Sequence, residues 1–148
     1  MNKYILTIIF SVILLSCSVE QKPIKYGSDK CDYCDMTIVD QKFGAEIVNK
    51  NGKAFKFDAA ECLLRYIEEG EIAQKDVALY LVTAVNQPNQ LINAEESYYL
   101  ISENFPSPMG AFLTTYKDEN TAKEFHKKYE GIIYNWDGIK KEFQIKND

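Results

Sequence analysis

A chain of 148 residues has room for one ordinary domain or two very small ones. Hydrophobic residues make up 46% and charged residues 26%, and 7 Gly with 4 Pro exclude a fibrous or low-complexity protein. The formal charge of −5 argues against a nucleic-acid partner, which calls for a basic face.

The chain opens with Lys3 and an uncharged, mostly apolar run from Tyr4 to Leu15. A basic start and a short apolar run make a secretory signal, whereas a spanning helix needs roughly 20 such residues. The run ends in Leu14-Leu15-Ser16-Cys17, which looks like a bacterial lipobox. Residues 1–16 therefore read as a signal peptide and Cys17 as the site of lipid attachment. The competing reading is a short uncleaved membrane anchor, but Ser11 and Cys17 interrupt a run that is already short. Several acyl chains on one cysteine would anchor the protein stably, as a single chain would not. The expectation is an exported, membrane-anchored lipoprotein facing the periplasm. Residues 17–28 are polar, with Pro23 and Gly27, and read as a lipidated tether, with order beginning near Lys30.

Past the tether, Met36 to Asp40 is a short β-prone stretch. Phe43–Lys50 and Lys53–Phe57 flank Asn51-Gly52, a hairpin signal of type I′ with positive φ at both central residues. Asp58 opens a helix, with Glu61 completing a capping-box pair, Leu63, Leu64 and Ile67 as its apolar stripe and Gly70 ending it. Val77–Val85 has the length and apolarity of a central strand. After the loop from Asn86 to Gln90 the pattern recurs. Strands are expected over Tyr98–Ser102 and Gly110–Tyr116, a helix over Asp118–Tyr129, a strand over Ile132–Asn135 and a last helical turn or two over Trp136–Phe143. The fold class expected is α+β with largely antiparallel sheet, in two small similar β-β-α-β modules over residues 29–88 and 89–148.

The densest chemical signal is Cys31-Asp-Tyr-Cys34-Asp-Met36. Thiolate and thioether sulfurs are soft donors that select Cu(I) over hard ions. If a strand has begun by then, Cys34 and Met36 share a face. The alternatives for this motif are a disulfide or half of a zinc site. Met109, between Pro108 and Gly110 in a loop, is a second thioether candidate, or else a plug beneath that loop. Cys62 falls in the first turn of the expected helix, where the amino terminus would lower its pKa and make it reactive. It could equally be a small buried hydrophobe. His126 lies among Lys123, Lys127 and Lys128 and reads as part of a solvated face, and no catalytic triad can be assembled around this single histidine.

A lipobox, then Cys31-x-x-Cys34-x-Met36, then Phe57-Asp58 leading to Cys62, then Met109-Gly110 after a strand, resembles the NosL family of lipid-anchored copper chaperones. The resemblance runs from Cys17 to the segment Trp136-Asp137-Gly138. It implies a fold of two similar β-β-α-β modules, and Cu(I) held by a cysteine and a methionine, which fall here on Cys34 and Met109. Where that family commonly has glycine after the second cysteine, this chain has Asp35. The implied partner is the nitrous oxide reductase system, either the copper-receiving enzyme or its assembly transporter, reached from a membrane through the N-terminal lipid. The expectation is thus a binding and delivery protein rather than an enzyme. Its rivals are a thiol-disulfide oxidoreductase using Cys31 and Cys34, and a structural zinc domain built on Cys31, Cys34, Cys62 and His126.

Overall fold

Ala45–Asn49 (β1) and Ala54–Phe57 (β2) pair antiparallel in the register Ala45↔Phe57 to Val48↔Ala54. The turn between them is not type I′. Positive φ is confined to Gly52 (+78°), and the Asn49 side-chain oxygen accepts from the N–H groups of Asn51 and Lys53. A longer loop with a single left-handed glycine spares Asn51 that conformation. These coordinates are a computed structural model that describes residues 19–145, so the signal segment 1–16 and Cys17 lie outside the described residues.

Val77–Thr83 (β3) runs antiparallel along the other side of β1, and Leu91–Asn93 (β4) completes a sheet of order β2-β1-β3-β4. The sequence reading missed β4, because three residues are too few to display an alternating pattern. Between β2 and β3 lies the helix Ala60–Glu68 (α1), with Leu63, Leu64 and Ile67 buried at helical spacing. Gly70, at φ +76°, turns the chain away beyond its end. Asp58 does not cap this helix. Ala59 occupies the N-cap with no side-chain hydrogen bond, and the carboxylates of Asp58 and Glu61 are buried instead.

The second unit repeats the connectivity. Tyr98–Ile101 (β5) pairs antiparallel with Leu113–Tyr116 (β6) and with Ile132–Tyr134 (β7), giving the order β6-β5-β7. In both sheets the first strand of the unit is flanked by the second and the third, as duplicated β-β-α-β units require. The intervening helix Glu119–Tyr129 (α2) is capped as expected, Asp118 accepting from the Thr121 N–H at 2.9 Å. A short helix, Trp136–Glu142 (α3), follows β7. β6 starts at Leu113 rather than Gly110, because Gly110 (φ +75°) and Phe112 (φ +57°) are left-handed and cannot lie in an extended ladder.

The two sheets share one core. Ile47, Phe57 and Leu63 from the first unit pack in the same cluster as Tyr99, Leu113 and Ile139 from the second. Trp136 lies against Tyr80 of β3 (ring centroids 5.3 Å) and Tyr99 of β5 (6.1 Å). Val85 donates to the Thr115 carbonyl at 2.9 Å, and the Thr115 hydroxyl donates back to the Thr83 carbonyl.

Order begins earlier than Lys30. The Lys22 N–H donates to Glu46 at 2.8 Å, Ile24 is buried, and Lys56 holds both the Pro23 carbonyl and Asp29. The polar composition of this stretch conceals backbone groups that dock onto β1 and β2. No helix among the described residues is long and apolar enough to cross a membrane.

Gly131 links α2 to β7 at φ +105°, and a Cβ there would press into the Ile101 carbonyl of β5. Gly131→Ala should therefore cost more than about 1 kcal/mol, the cost of forcing a side chain into an incompatible conformation. At roughly 2–4 °C per kcal/mol for a chain of this size, the loss is readable in a thermal melt. An unchanged melting temperature would contradict this placement.

Candidate metal centre

Cys31 and Cys34 stand on a small closed loop laid against the edge of β2. Lys30 and Thr37 form an isolated antiparallel bridge, and the Cys31 N–H donates to the Met36 carbonyl at 2.8 Å. Asp32 fastens the loop to the sheet: its N–H donates to the Lys56 carbonyl at 2.8 Å and its carboxylate accepts from the Lys56 N–H at 2.6 Å. Tyr33 ties it to the end of α1 through Glu69 at 2.6 Å. No strand forms over Met36 to Asp40. Asp35 adopts φ +59°, which reverses the chain between Cys34 and Met36 and breaks the alternation that would have put them on one face. A left-handed residue is where glycine is least strained, and aspartate is among the side chains that tolerate it. Met36 is left 53% exposed.

The third sulfur comes from the first turn of α1. The Sγ atoms of Cys31, Cys34 and Cys62 all lie within 4.8 Å of one another, and all three thiols are free. Cys31 and Cys62 are buried, while Cys34 is partly open to solvent. Met109 and Cys34 both pack, half-buried, against the core cluster that contains Cys31 and Cys62. The structure therefore brings Cys31, Cys34 and Cys62 together, packs Met109 against the hydrophobic core to which Cys31 and Cys62 belong, and leaves Met36 largely in solvent.

The charge on these sulfurs is unevenly shared. Cys31 is depressed to about 5, because the Cys62 thiol donates to it and the backbone N–H groups of Cys34, Asp58 and Tyr33 point at it, against the opposing effect of burial. Cys62 is raised instead, by donating its proton to Cys31 and by its own burial. Of the two readings of Cys62, the activated thiol is reversed, since the stabilising donors surround Cys31, while the small buried residue fits, Cys62 being fully buried. Burial also raises Cys34, the accessible thiol. An oxidoreductase needs an accessible, low-pKa thiolate, and here accessibility and low pKa fall on different cysteines. Nor does the zinc set assemble. His126 contacts the Gly131 carbonyl at 3.1 Å on α2, and the potential ligand group contains the three cysteines without it.

The sequence reading missed the partner of the Met109 loop. Glu61, fully buried beside Cys62, accepts from the Ser107 hydroxyl at 2.7 Å and from the Met109 N–H at 3.0 Å. Its position three residues after Asp58 imitates a capping box, so local pattern assigned it to the wrong partner.

The depressed Cys31 has a consequence for the metal-free protein. A thiol that is ionised when folded and protonated when unfolded adds stability above the unfolded pKa, near 8.5, and loses it as pH falls toward about 5. Wild type should therefore gain stability over Cys31→Ser as pH rises from 5 toward 8.5. Parallel melting-temperature profiles for the two proteins would refute this charge assignment.

The NosL family model matches residues 24–144. Among solved structures, the crystal structure of the copper chaperone NosL from Shewanella denitrificans aligns with a TM-score of 0.69 at 20% identity, covering 81% of this chain and 95% of that one. No curated protein matches the sequence. The structural likeness establishes the shared fold, and the family match, over most of the chain, establishes the lineage: the chain belongs to the NosL family.

Proposed function

We propose that this chain is a Cu(I)-binding delivery protein rather than an enzyme. Cys31, Cys34, Cys62 and Met109 would hold the ion, and copper would pass to the nitrous oxide reductase system, either the enzyme itself or its assembly transporter. In the same reading the protein is exported, anchored through lipid on Cys17, and works in the periplasm. The observation that carries this reading is the three-sulfur cluster within 4.8 Å, one residue along α1 from Glu61, which accepts from the Met109 N–H at 3.0 Å. Three thiol sulfurs and a thioether form a soft donor set that suits a monovalent copper ion and suits hard divalent ions poorly. The family match and the structural neighbour, a copper chaperone, support the choice of cargo.

Delivery requires ligands that exchange. Cys31 and Cys62 are buried and would retain the ion, whereas half-buried Cys34 and the loop carrying Met109 form the side from which a recipient's ligand can approach. An incoming donor would add to copper as one of these bonds breaks, so the ion is never released to solvent.

Anaerobic loading followed by competition with a Cu(I) chelator tests this. Wild type should retain one Cu(I), and Cys34→Ser should lose most of that retention. Met109→Leu should weaken it while costing less than about 1.5 kcal/mol of apo stability, as volume-conserving swaps do. Met36→Leu should have the smallest effect. Stoichiometric zinc in place of copper, or Cys31–Cys34 redox cycling without metal, would overturn the reading.

A further inference from the structure

A buried carboxylate is an expensive way to join a helix to a loop, since apolar residues of similar volume usually pack there at lower cost. Glu61 is completely buried, and apart from its own backbone N–H the donors to its carboxylate come from one segment. The Ser107 hydroxyl (2.7 Å) and the Met109 N–H (3.0 Å) reach the same oxygen, and the Ala111 N–H faces the same carboxylate. Ser107 passes the connection on, its hydroxyl accepting from the Leu113 N–H at 3.2 Å, where β6 begins.

Within the segment the Gly110 N–H donates to the Ser107 carbonyl at 3.2 Å, and the Phe112 carbonyl accepts from the Ser102 N–H at 3.0 Å. Gly110 sits at φ +75° and Phe112 at φ +57°, and an aromatic side chain in the left-handed region is a costly outlier that persists only where its surroundings impose it. Phe112 is also 37% exposed, so its own packing supplies little of that constraint. Beside those backbone ties, the pair of hydrogen bonds from Ser107 and Met109 fastens the loop to a residue covalently next to Cys62.

We propose that Glu61 is a positioning residue for the metal: through Ser107 and the Met109 backbone it seats the Met109 thioether against the cysteine cluster without itself touching the ion. This rests on the assignment of Cys31, Cys34, Cys62 and Met109 as the copper site. Partners that orient the ligands of a metal typically govern affinity by 10- to 100-fold, and Glu61 would do so for a ligand delivered from the second β-β-α-β unit. Because the carboxylate acts as an acceptor, glutamine, which keeps a carbonyl oxygen at that position, should replace it and alanine should not.

The test uses the full chain labelled with ¹³C-methyl methionine, the Met109 signal being assigned by its disappearance in Met109→Leu. Adding Cu(I) anaerobically should shift that signal in wild type and in Glu61→Gln. In Glu61→Ala the shift should be lost, with chelator competition showing copper retention weakened by about 10- to 100-fold. Glu61→Ala combined with Met109→Leu should be no weaker than Met109→Leu alone, since both remove the same bond. Should Glu61→Ala fail to fold, Ser107→Ala must still diminish the shift, and an undiminished one overturns the proposal. A Met109 methyl that ignores Cu(I) in wild type overturns the ligand assignment and this inference together. One that shifts equally in wild type and Glu61→Ala overturns only the inference.

Discussion

Two adjacent residues on the first turn of α1 face different partners, and most of what the molecule can do depends on that. Successive side chains on a helix point about 100° apart. Cys62 meets the loop carrying Cys31 and Cys34, while Glu61 reaches the loop carrying Met109. The helix therefore connects a cysteine turn in the first unit with a thioether loop in the second. The relative placement of the units is fixed elsewhere, by Trp136 between Tyr80 and Tyr99 and by the hydrogen bonds joining Thr83, Val85 and Thr115. With the sheets held, the Met109 loop needs only local support to keep its position.

The sulfurs are arranged for retention on one side and exchange on the other. Cys31 takes the negative charge because three backbone N–H groups and the Cys62 thiol converge on it, a set of donors that a buried thiolate requires. Cys62 and Cys34 keep their protons, Cys62 in the interior and Cys34 toward solvent. With Cys34 and Met109 only half-buried, the proposed four-sulfur set is open on one side, where an incoming ligand can displace one of them. The lipid anchor proposed at Cys17 is a short stretch of chain from Lys22, whose docking on Glu46 ties the amino-terminal segment to β1.

Much of the fold was legible because it follows from local rules. Asn51-Gly52 marked the hairpin, Leu63, Leu64 and Ile67 marked α1, and Asp118 marked the start of α2, each through chemistry acting within a few residues. The readings that failed are those in which distant contacts override local preference. Met36 to Asp40 looks β-prone, yet Asp35 turns left-handed to close the cysteine loop. Asp58 and Glu61 have capping-box spacing, yet both are drawn into the interior, Glu61 by a loop 46 residues away in sequence. The amino-terminal stretch is polar enough to read as a tether, but its backbone hydrogen-bonds to the side chains of Glu46 on β1 and Lys56 on β2. The candidate donors were found from residue type and motif alone. That Cys62 joins Cys31 and Cys34, and that Cys31 rather than Cys62 is the acidic thiol, needed the fold, because both depend on which N–H groups converge in space.

The central claim is that a single ion draws ligands from both units, sulfur from the cysteine cluster and a thioether from Met109. X-ray absorption at the copper edge of selenomethionine-labelled, Cu(I)-loaded protein tests this most directly, because selenium is distinguishable from sulfur as a scatterer. The account predicts a copper–selenium contact that persists in Met36→Leu and vanishes in Met109→Leu, beside copper–sulfur contacts present in all three proteins. Copper surrounded by sulfur with no selenium neighbour in the wild type would contradict it.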